Sequence, residues 1–354
     1  MPEQSRSTGG DRAEGKPRGA HGPPSDRAGE LLLLGWPGED PEGLMSLLEE
    51  FRPAGFIYFG RNWPGSLPAL RDALAKADRW AARHLGRRLL WAVDQEGGPV
   101  QRLREEGFTL PSAKEIGELA GSQGLDCVVR LANRAGLALR DLGFNLNLAP
   151  VLDVAATGAY ISERSFSRDP GTAASVAQGY ALGFREAGLL VCGKHFPGLG
   201  ATEVDPHGRL PLVASDAQEL WDRDGLPFRA LIAQGVPALM TTHALYVSLD
   251  PDLPATLSPK VVGLLKGGYG FGGIVISDDL MMGGILSLAT PWEAAVGAVV
   301  AGHDLVIVSK DQSAIRNSRD SLAEAIMDGR ITPGRLGDQR RRLEGALGLL
   351  PGPD

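Results

Sequence analysis

Residues 172–196 read TAASVAQGYALGFREAGLLVCGKHF, and this stretch contains the unit from which the fold is built. From Thr172 to Ala187 apolar residues recur every three or four positions, which predicts an amphipathic helix. The run from Leu190 to Phe196 is short and apolar and carries Lys194-His195 near its end, which predicts a buried strand with a polar terminus. A helix beside a buried strand is typical of a parallel α/β fold.

The same unit recurs along the chain as eight short apolar runs with helical segments between them. The runs are Leu31–Trp36, Gly55–Gly60, Leu89–Asp94, Asn145–Asp153, Leu190–Phe196, Ala238–His243, Gly273–Asp278 and Asp304–Ser309. No GxGxxG or GxxxxGK[ST] phosphate-binding motif follows any of them, which argues against an open doubly wound sheet. The sequence therefore predicts an α/β fold, a single-domain (β/α)8 barrel of the TIM type, closed by one or two helices that break near Thr332-Pro333-Gly334.

The two ends of the chain differ in composition. Residues 1–28 are rich in glycine, proline, serine and charged residues and contain no apolar run, so we predict a disordered tail there and a barrel domain over 29–354. The apolar run Leu31–Leu34 is too short for a signal peptide or a membrane span. A cytoplasmic protein without a membrane partner is expected.

The composition narrows the class of ligand. A formal net charge of −7 leaves no basic face for nucleic acid or anionic lipid. Cys127 and Cys192 lie far apart in the sequence, and we expect two reduced, buried thiols that form neither a disulfide nor a metal site. We expect a monomer that uses no metal and no cofactor and binds a small, uncharged ligand.

Polar residues follow five of the predicted strands. These positions are Asp94-Gln95-Glu96, Asp153, Lys194-His195, His243 and Asp278-Asp279. A lone aspartate at a strand end is more often a helix cap or a turn residue. Five strands that end in this way indicate an active site on the carboxyl-terminal face of the barrel.

Two features at this face suggest chemistry. In the long loop after the fifth strand, Asp205 precedes His207 by two residues, close enough to accept a hydrogen bond from one ring nitrogen and leave the other for proton transfer. After the seventh strand, only one of Asp278 and Asp279 can point into the barrel mouth, because side chains alternate along a strand. Alternation alone does not choose between them.

Several motifs in order carry a specific resemblance. They are Gly55–Phe59, Asp94–Gly98 with Val100–Arg102, Asn147–Val154, Glu163–Phe166, the Lys194-His195 loop and Ile276–Leu280. With them the chain resembles bacterial β-N-acetylglucosaminidases of glycoside hydrolase family 3, the single-domain type of cell-wall recycling. The resemblance implies a retaining exo-hydrolase that releases terminal N-acetylglucosamine from a peptidoglycan-derived muropeptide or oligosaccharide through a covalent glycosyl-aspartate.

The resemblance also implies roles for particular residues. The nucleophile falls on Asp278, and the acid/base falls on His207 paired with Asp205. The sugar-binding residues fall on Asp94, Arg102, Arg164, Lys194 and His195. A retaining glycosidase needs a nucleophile and a proton donor, usually two carboxyls, and a histidine with an unperturbed pKa of about 6.5 suits the second role.

The chain departs from the family pattern at four positions. Leu199 and Ala201 stand where the loop usually has histidine and aspartate, Pro99 replaces an arginine, and Pro206 replaces a serine. The proposed nucleophile, acid/base and sugar ligands are all retained, whereas two polar groups that would order the loop are missing.

Other functions remain open at this stage. The alternatives are a β-glucosidase or broader hexosaminidase of the same family, a sugar-binding homologue with impaired catalysis, and a barrel aldolase with Lys194 as its Schiff-base lysine. Phosphate in place of water as the acceptor is a further hypothesis, since a neutral histidine repels phosphate less than a carboxylate does. We interpret His243 and His303 as structural.

Overall fold

Eight parallel strands form a closed barrel in a computed structural model that describes residues 22–105, 107–202 and 209–352. In chain order the strands are β1 (Leu32–Leu34), β2 (Gly55–Tyr58), β3 (Leu90–Val93), β4 (Gln95–Gly97), β5 (Val100–Gln101), β6 (Leu146–Asn147), β7 (Leu190–Phe196), β8 (Leu212–Val213), β9 (Ala238–Thr241), β10 (Leu245–Tyr246), β11 (Ile274–Asp279) and β12 (Leu305–Val308). The barrel order is β1-β2-β3-β6-β7-β9-β11-β12, and β12 pairs with β1 to close it. Each predicted apolar run contains one barrel strand, so the predicted fold is confirmed.

Helices surround the barrel. They are α1 (Pro24–Gly29), α2 (Pro41–Phe51), α3 (Leu67–His84), α4 (Ala113–Gln123), α5 (Leu125–Leu142), α6 (Pro170–Glu186), α7 (Ala217–Glu219), α8 (Gly225–Ala233), α9 (Pro259–Gly263), α10 (Gly283–Leu286), α11 (Pro291–Ala301), α12 (Gln312–Met327) and α13 (Pro333–Leu347). Five-residue π-helical segments follow α7 and α9. The closing segment is split into α12 and α13 at the predicted break. None of the helices described here is both long and apolar enough to span a bilayer.

Capping residues fix where many of these helices begin. Asp169, immediately before α6, accepts a hydrogen bond from the amide of Thr172 at 2.7 Å, and Pro170 occupies the first turn. Ser66 and Thr290 cap α3 and α11 in the same way. A short polar side chain before a proline satisfies amides that have no partner within the helix.

The strands divide the apolar core into two layers. Alternate residues, such as Ile57, Ala92 and Cys192, fill the inside of the barrel, where Leu343 of α13 also packs. The opposite faces, which include Trp91, pack against the helices. This alternation follows from the two-residue period of a strand. Both cysteines are buried free thiols, as expected.

The predicted disordered tail is wrong for residues 24–28. These residues belong to α1, which begins at Pro24, and Ala28 is fully buried. The helix packs against α12, and composition alone does not reveal this contact. Residues 1–21 lie outside the described part of the chain.

Candidate active site

Three strands each place one charged residue at the carboxyl-terminal mouth of the barrel. Residues that precede each one by two and by four positions pack inside the barrel, which identifies the inward face of each strand. The three series are Leu90-Ala92-Asp94, Leu190-Cys192-Lys194 and Ile274-Ile276-Asp278. Strand pairing is irregular between Ile276 and Asp279, so alternation alone does not separate Asp278 from Asp279. The two aspartates differ instead in their hydrogen bonds.

The buried thiol of Cys192 lies beneath this group. Burial raises the pKa of Cys192, and the charges of Lys194, Asp94 and Asp278 all act on it. These three side chains therefore surround the same end of the barrel interior.

Lys194 links two carboxylates at the base of the site. Its Nζ donates to Asp94 Oδ1 at 2.8 Å and lies 2.7 Å from Glu96 Oε1. Arg102 donates from Nη2 to Asp94 Oδ2 at 3.0 Å. Burial raises the pKa of Asp94, but Lys194 and Arg102 more than offset this, and the net pKa lies below its ordinary value. Asp94 is therefore ionised and is ready to accept hydrogen bonds from sugar hydroxyls.

Arg164 extends the network to His195. Its Nε and Nη2 donate to the two carboxylate oxygens of Glu96 at 2.8 and 2.9 Å, and Nη2 lies 3.3 Å from His195 Nε2. On the other side of the ring, His195 Nδ1 lies 2.7 Å from Asp153 Oδ2. Because guanidinium nitrogens only donate, Nε2 is the acceptor toward Arg164, and Nδ1 is the donor toward Asp153.

Glu96 and Asp153 therefore belong to the site, although neither was assigned a role from the sequence. The attractions of Arg164 and Lys194 outweigh the effect of burial and lower the pKa of Glu96 to about 2. The polarity of the strand ends identified both positions, but their partners lie 68 and 42 residues away in sequence. Pairing over such distances has no signal in local spacing.

Asp278 and Asp279 have different surroundings. Asp278 is half-buried, and its Oδ1 accepts the amide of Asp279 at 2.8 Å. Within the described residues its carboxylate has no other hydrogen bond. Asp279 accepts from the hydroxyl of Ser309 and, at 3.1 Å, from the amide of Met281, while burial raises its pKa to about 6. Asp278 is thus the carboxylate that is open to a ligand.

Two arginines, Arg61 and Arg102, lie against the ring of Phe59, and of these Arg61 was missed from the sequence. The Arg61 guanidinium lies 4.2 Å from the centre of the Phe59 ring, and that of Arg102 lies 5.4 Å from it. Arg61 also donates to the main-chain oxygen of Ser309. Phe59 lies in the quoted motif at the end of β2, but nothing in the spacing singled out Arg61.

The predicted acid/base pair, His207 and Asp205, lies outside the described residues. The chain before it is anchored: Leu199 donates its amide to Asp153 Oδ1 at 2.7 Å, and Ala156 donates to the oxygen of Gly200 at 2.8 Å. Leu199 itself is 2% exposed and packs in the apolar core. The leucine that departs from the family pattern is therefore a packing residue.

His243 and His303, which were interpreted as structural, are both buried and hydrogen-bonded. His303 contacts Thr241 Oγ1 at 2.7 Å and the oxygen of Ala298 at 3.0 Å, and burial lowers its pKa to about 4. His243 lies 2.8 Å from Thr256 Oγ1. Among the described residues, no group of three or more histidine, cysteine, aspartate or glutamate side chains is arranged to hold a metal ion.

Comparisons with known proteins agree with this geometry. The sequence profile of the glycosyl hydrolase family 3 N-terminal domain matches residues 29–345. A protein of Methylococcus capsulatus named beta-hexosaminidase is 36% identical over 284 residues, which cover 79% of this chain and 81% of that protein.

Solved structures give the same result. A glycoside hydrolase family 3 beta-N-acetylglucosaminidase from Paenibacillus sp. is 33% identical with a TM-score of 0.87, and the match covers 93% of this chain and 64% of that longer one. A beta-N-acetylhexosaminidase from Beutenbergia cavernae is 29% identical with a TM-score of 0.81 and is matched over 99% of its length. The chain belongs to glycoside hydrolase family 3.

Proposed function

We propose that this glycoside hydrolase is a retaining exo-β-N-acetylglucosaminidase in which Asp278 is the nucleophile. The observation that carries the proposal is the environment of Asp278: its charge acts with those of Asp94 and Lys194 on the thiol of Cys192 in the barrel interior, and among the described residues its carboxylate accepts only the amide of Asp279. The names of the relatives support an N-acetylated amino sugar as the substrate.

The array supplies the binding part of the reaction. Asp94 is an ionised acceptor, whereas Lys194, Arg102 and Arg164 are donors that salt bridges already hold in place. Little side-chain entropy is then lost when sugar hydroxyls and an acetamido group bind. Carboxylates near the sugar ring also stabilise the positive charge that develops on it in the transition state.

The chemistry divides into two steps. In the first, Asp278 attacks the anomeric carbon, the glycosidic bond breaks, and the leaving oxygen takes a proton from His207. In the second, His207 accepts a proton from water, which displaces Asp278 and releases the sugar with its configuration retained. The role of His207, assisted by Asp205, rests on the family resemblance.

The source of the substrate is part of the same proposal. We place the enzyme in the cytoplasm, where it removes terminal N-acetylglucosamine from peptidoglycan-derived fragments. Hydrolysis of a purified muropeptide by the protein, with free N-acetylglucosamine as product, tests this point.

The choice of sugar has a direct test. The protein is assayed with 4-nitrophenyl β-N-acetylglucosaminide and with 4-nitrophenyl β-glucoside, and kcat/KM is compared. We expect the N-acetylated substrate to react faster. Faster turnover of the plain glucoside would overturn the proposed specificity in favour of a β-glucosidase.

A sugar-binding homologue without turnover is the second candidate, because Leu199 packs in the core where the family pattern has a polar loop residue. Calorimetry with N-acetylglucosamine separates the two: binding without turnover of either aryl substrate would favour this candidate.

A further inference from the structure

Asp279, the residue after the proposed nucleophile, is linked to both strands that flank β11. Its side chain accepts from Ser309, directly after β12, and its main-chain oxygen lies 2.9 Å from Nε2 of His243, which follows β9. Its amide donates to Asp278 Oδ1 at 2.8 Å. Asp279 thus connects the neighbouring strands to the carboxylate of Asp278.

These links lie at an irregularity in the barrel. Ile276 pairs with Leu305 and Asp279 pairs with Ile307, so β11 contains one more residue than β12 over this interval. A bulge of this kind interrupts the strand ladder and changes the direction of a side chain, and bulges are common next to active sites. The backbone around Asp278 must therefore be held by contacts other than regular strand pairing.

Side chains provide those contacts. Ser277 Oγ accepts the amide of Ile307 at 3.2 Å and donates to the oxygen of Asp278 at 2.8 Å. The next contact along the bulge is that of Asp279 with Ser309. Together these hydrogen bonds replace the missing part of the ladder on the β12 side.

On the β9 side, His243 has a fixed orientation. Its ring is fully buried, and Nδ1 lies 2.8 Å from Thr256 Oγ1. Since a main-chain oxygen only accepts, Nε2 carries the proton that it donates to Asp279. The ring therefore holds the Asp279 peptide from the side opposite Ser309.

We infer that Asp279 is a positioning residue for the nucleophile: Ser309 and His243 hold its peptide so that its amide keeps the Asp278 carboxylate aimed at the anomeric carbon. The inference rests on the proposed role of Asp278. A nucleophile held in a near-attack position accounts for a large part of a rate enhancement, so its loss lowers kcat rather than sugar binding.

The charges around Asp279 give a second readout. Two positive charges interact electrostatically with its carboxyl: Arg61, shortly after β2, and Lys310, the residue after Ser309. The negative charge of Asp278 on the same strand repels it. Burial is the largest influence and raises the pKa of Asp279 to about 6. Ionisation of Asp279 thus adds a negative charge beside Asp278 as the pH rises through this value.

The experiment compares Asp279→Ala, Asp279→Asn and Ser309→Ala with the wild type on 4-nitrophenyl β-N-acetylglucosaminide. Asparagine keeps an acceptor for Ser309 and for Met281, whereas alanine does not. We expect Asp279→Ala to lower kcat about a hundredfold with KM nearly unchanged, and Ser309→Ala to lower it about tenfold. Asp279→Asn is expected to keep kcat within about threefold of wild type, and its pH profile of kcat/KM loses the ionisation of Asp279 while that of the acid/base remains.

Asp311→Ala is the matched control. Asp311 is another aspartate in the segment after β12, where it caps α12 through the amides of Ser313 and Ala314 at 2.7 and 3.0 Å. Its loss weakens a cap without touching the bulge, so kcat is expected to stay within about twofold of wild type. A fall of kcat in Asp311→Ala equal to that in Asp279→Ala would reduce the effect to general destabilisation and overturn the inference.

Two further outcomes decide the inference. Wild-type kcat in both Asp279→Ala and Ser309→Ala would overturn it, and Ser309→Ala provides the answer if Asp279→Ala does not fold. If the wild type itself hydrolyses no aryl glycoside, the proposed function fails. Crystal structures of Ser309→Ala and wild type then test the inference alone: a displaced Asp278 carboxylate supports it, and an unmoved one overturns it.

Discussion

The ammonium of Lys194 lies between two carboxylates, 2.8 Å from Asp94 and 2.7 Å from Glu96, with 3% of its side chain exposed. Lys194→Met leaves both carboxylates buried near each other without a shared cation. We expect a loss of about 3–5 kcal/mol in the free energy of unfolding, measured with urea, together with loss of activity. Lys114→Met is the control, because Lys114 and its partner Glu163 are both more than half exposed and their ion pair contributes at most about 1 kcal/mol. Equal effects of the two substitutions would contradict the account.

The buried side chain of His303 should make the folded protein less stable in acid, independently of catalysis. Burial lowers its pKa to about 4 in the folded protein, whereas in the unfolded chain it is about 6.5. Between these values the unfolded state binds more protons, so this contribution to stability is present above pH 6.5 and is lost as the pH falls toward 4. From pH 7 to pH 5 we expect the wild type to lose about 2 kcal/mol more than His303→Asn. Parallel urea titrations at the two pH values measure the difference, and the same loss in both proteins would refute this assignment.

At the scale of single residues, the sequence identified which residues lie in the site better than it identified which residues they contact. Asp94, Arg102, Arg164, Lys194 and His195 were expected in one site, and the structure brings them together. Glu96 and Asp153 were visible only as polar residues at strand ends. Their partners, Arg164 and His195, are distant in sequence and come near them only when the barrel closes. The choice of Asp278 over Asp279 came from the resemblance, and the sequence pattern alone did not supply it.

The loop after β7 depends on the close approach of two backbone segments. A Cβ atom added to Gly200 would lie 1.9 Å from the oxygen of Val154, which is fixed in turn by Arg223 Nη2 at 2.7 Å. Gly200→Ala must therefore shift the start of the loop that carries His207. We expect kcat/KM to fall about tenfold or more, since small displacements of a catalytic group are costly.

Gly263→Ala is the matched control for this loop. Gly263 is helical, with φ of −62°, and an added Cβ meets nothing within 4 Å, so alanine fits and is expected to leave activity unchanged. Wild-type kcat/KM in Gly200→Ala would show that the loop start does not position the proton donor.

At the scale of elements, apolar runs predicted all eight barrel strands, whereas the β4–β5 hairpin was missed. Its strands contain polar residues that no periodicity reveals. The buried amide of Gln95 holds the segment instead: it donates to the oxygens of Leu103 and Phe108 at 2.7 and 3.0 Å and accepts the amide of Arg102 at 3.0 Å. The predicted tail failed at α1 for a related reason, since the packing of this short helix against α12 leaves no apolar run in the sequence.

At the scale of the whole molecule, helix α13 covers the end of the barrel opposite the candidate active site. Arg335 and Arg342 contact the buried Asp304 at 2.8 and 3.0 Å, and Leu343 packs into the barrel interior. Leu343→Ala is expected to cost about 2–5 kcal/mol in the free energy of unfolding. KM is expected to stay unchanged, because α13 covers the end of the barrel away from the active site. Leu349→Ala, at a position 65% exposed, is expected to change stability by no more than about 0.5 kcal/mol. Equal stability losses in urea titrations of the two variants would show that α13 does not complete the core.

The central claim is that Asp278 forms the covalent bond to the sugar. A fluorinated N-acetylglucosaminide with a good leaving group slows the second step, so the glycosyl-enzyme accumulates and its digest can be sequenced by mass spectrometry. We predict one added sugar, located on the side chain of Asp278 and absent from Asp278→Ala. A label on Asp279, or turnover of the reagent by an Asp278→Ala variant at the wild-type rate, would contradict the account.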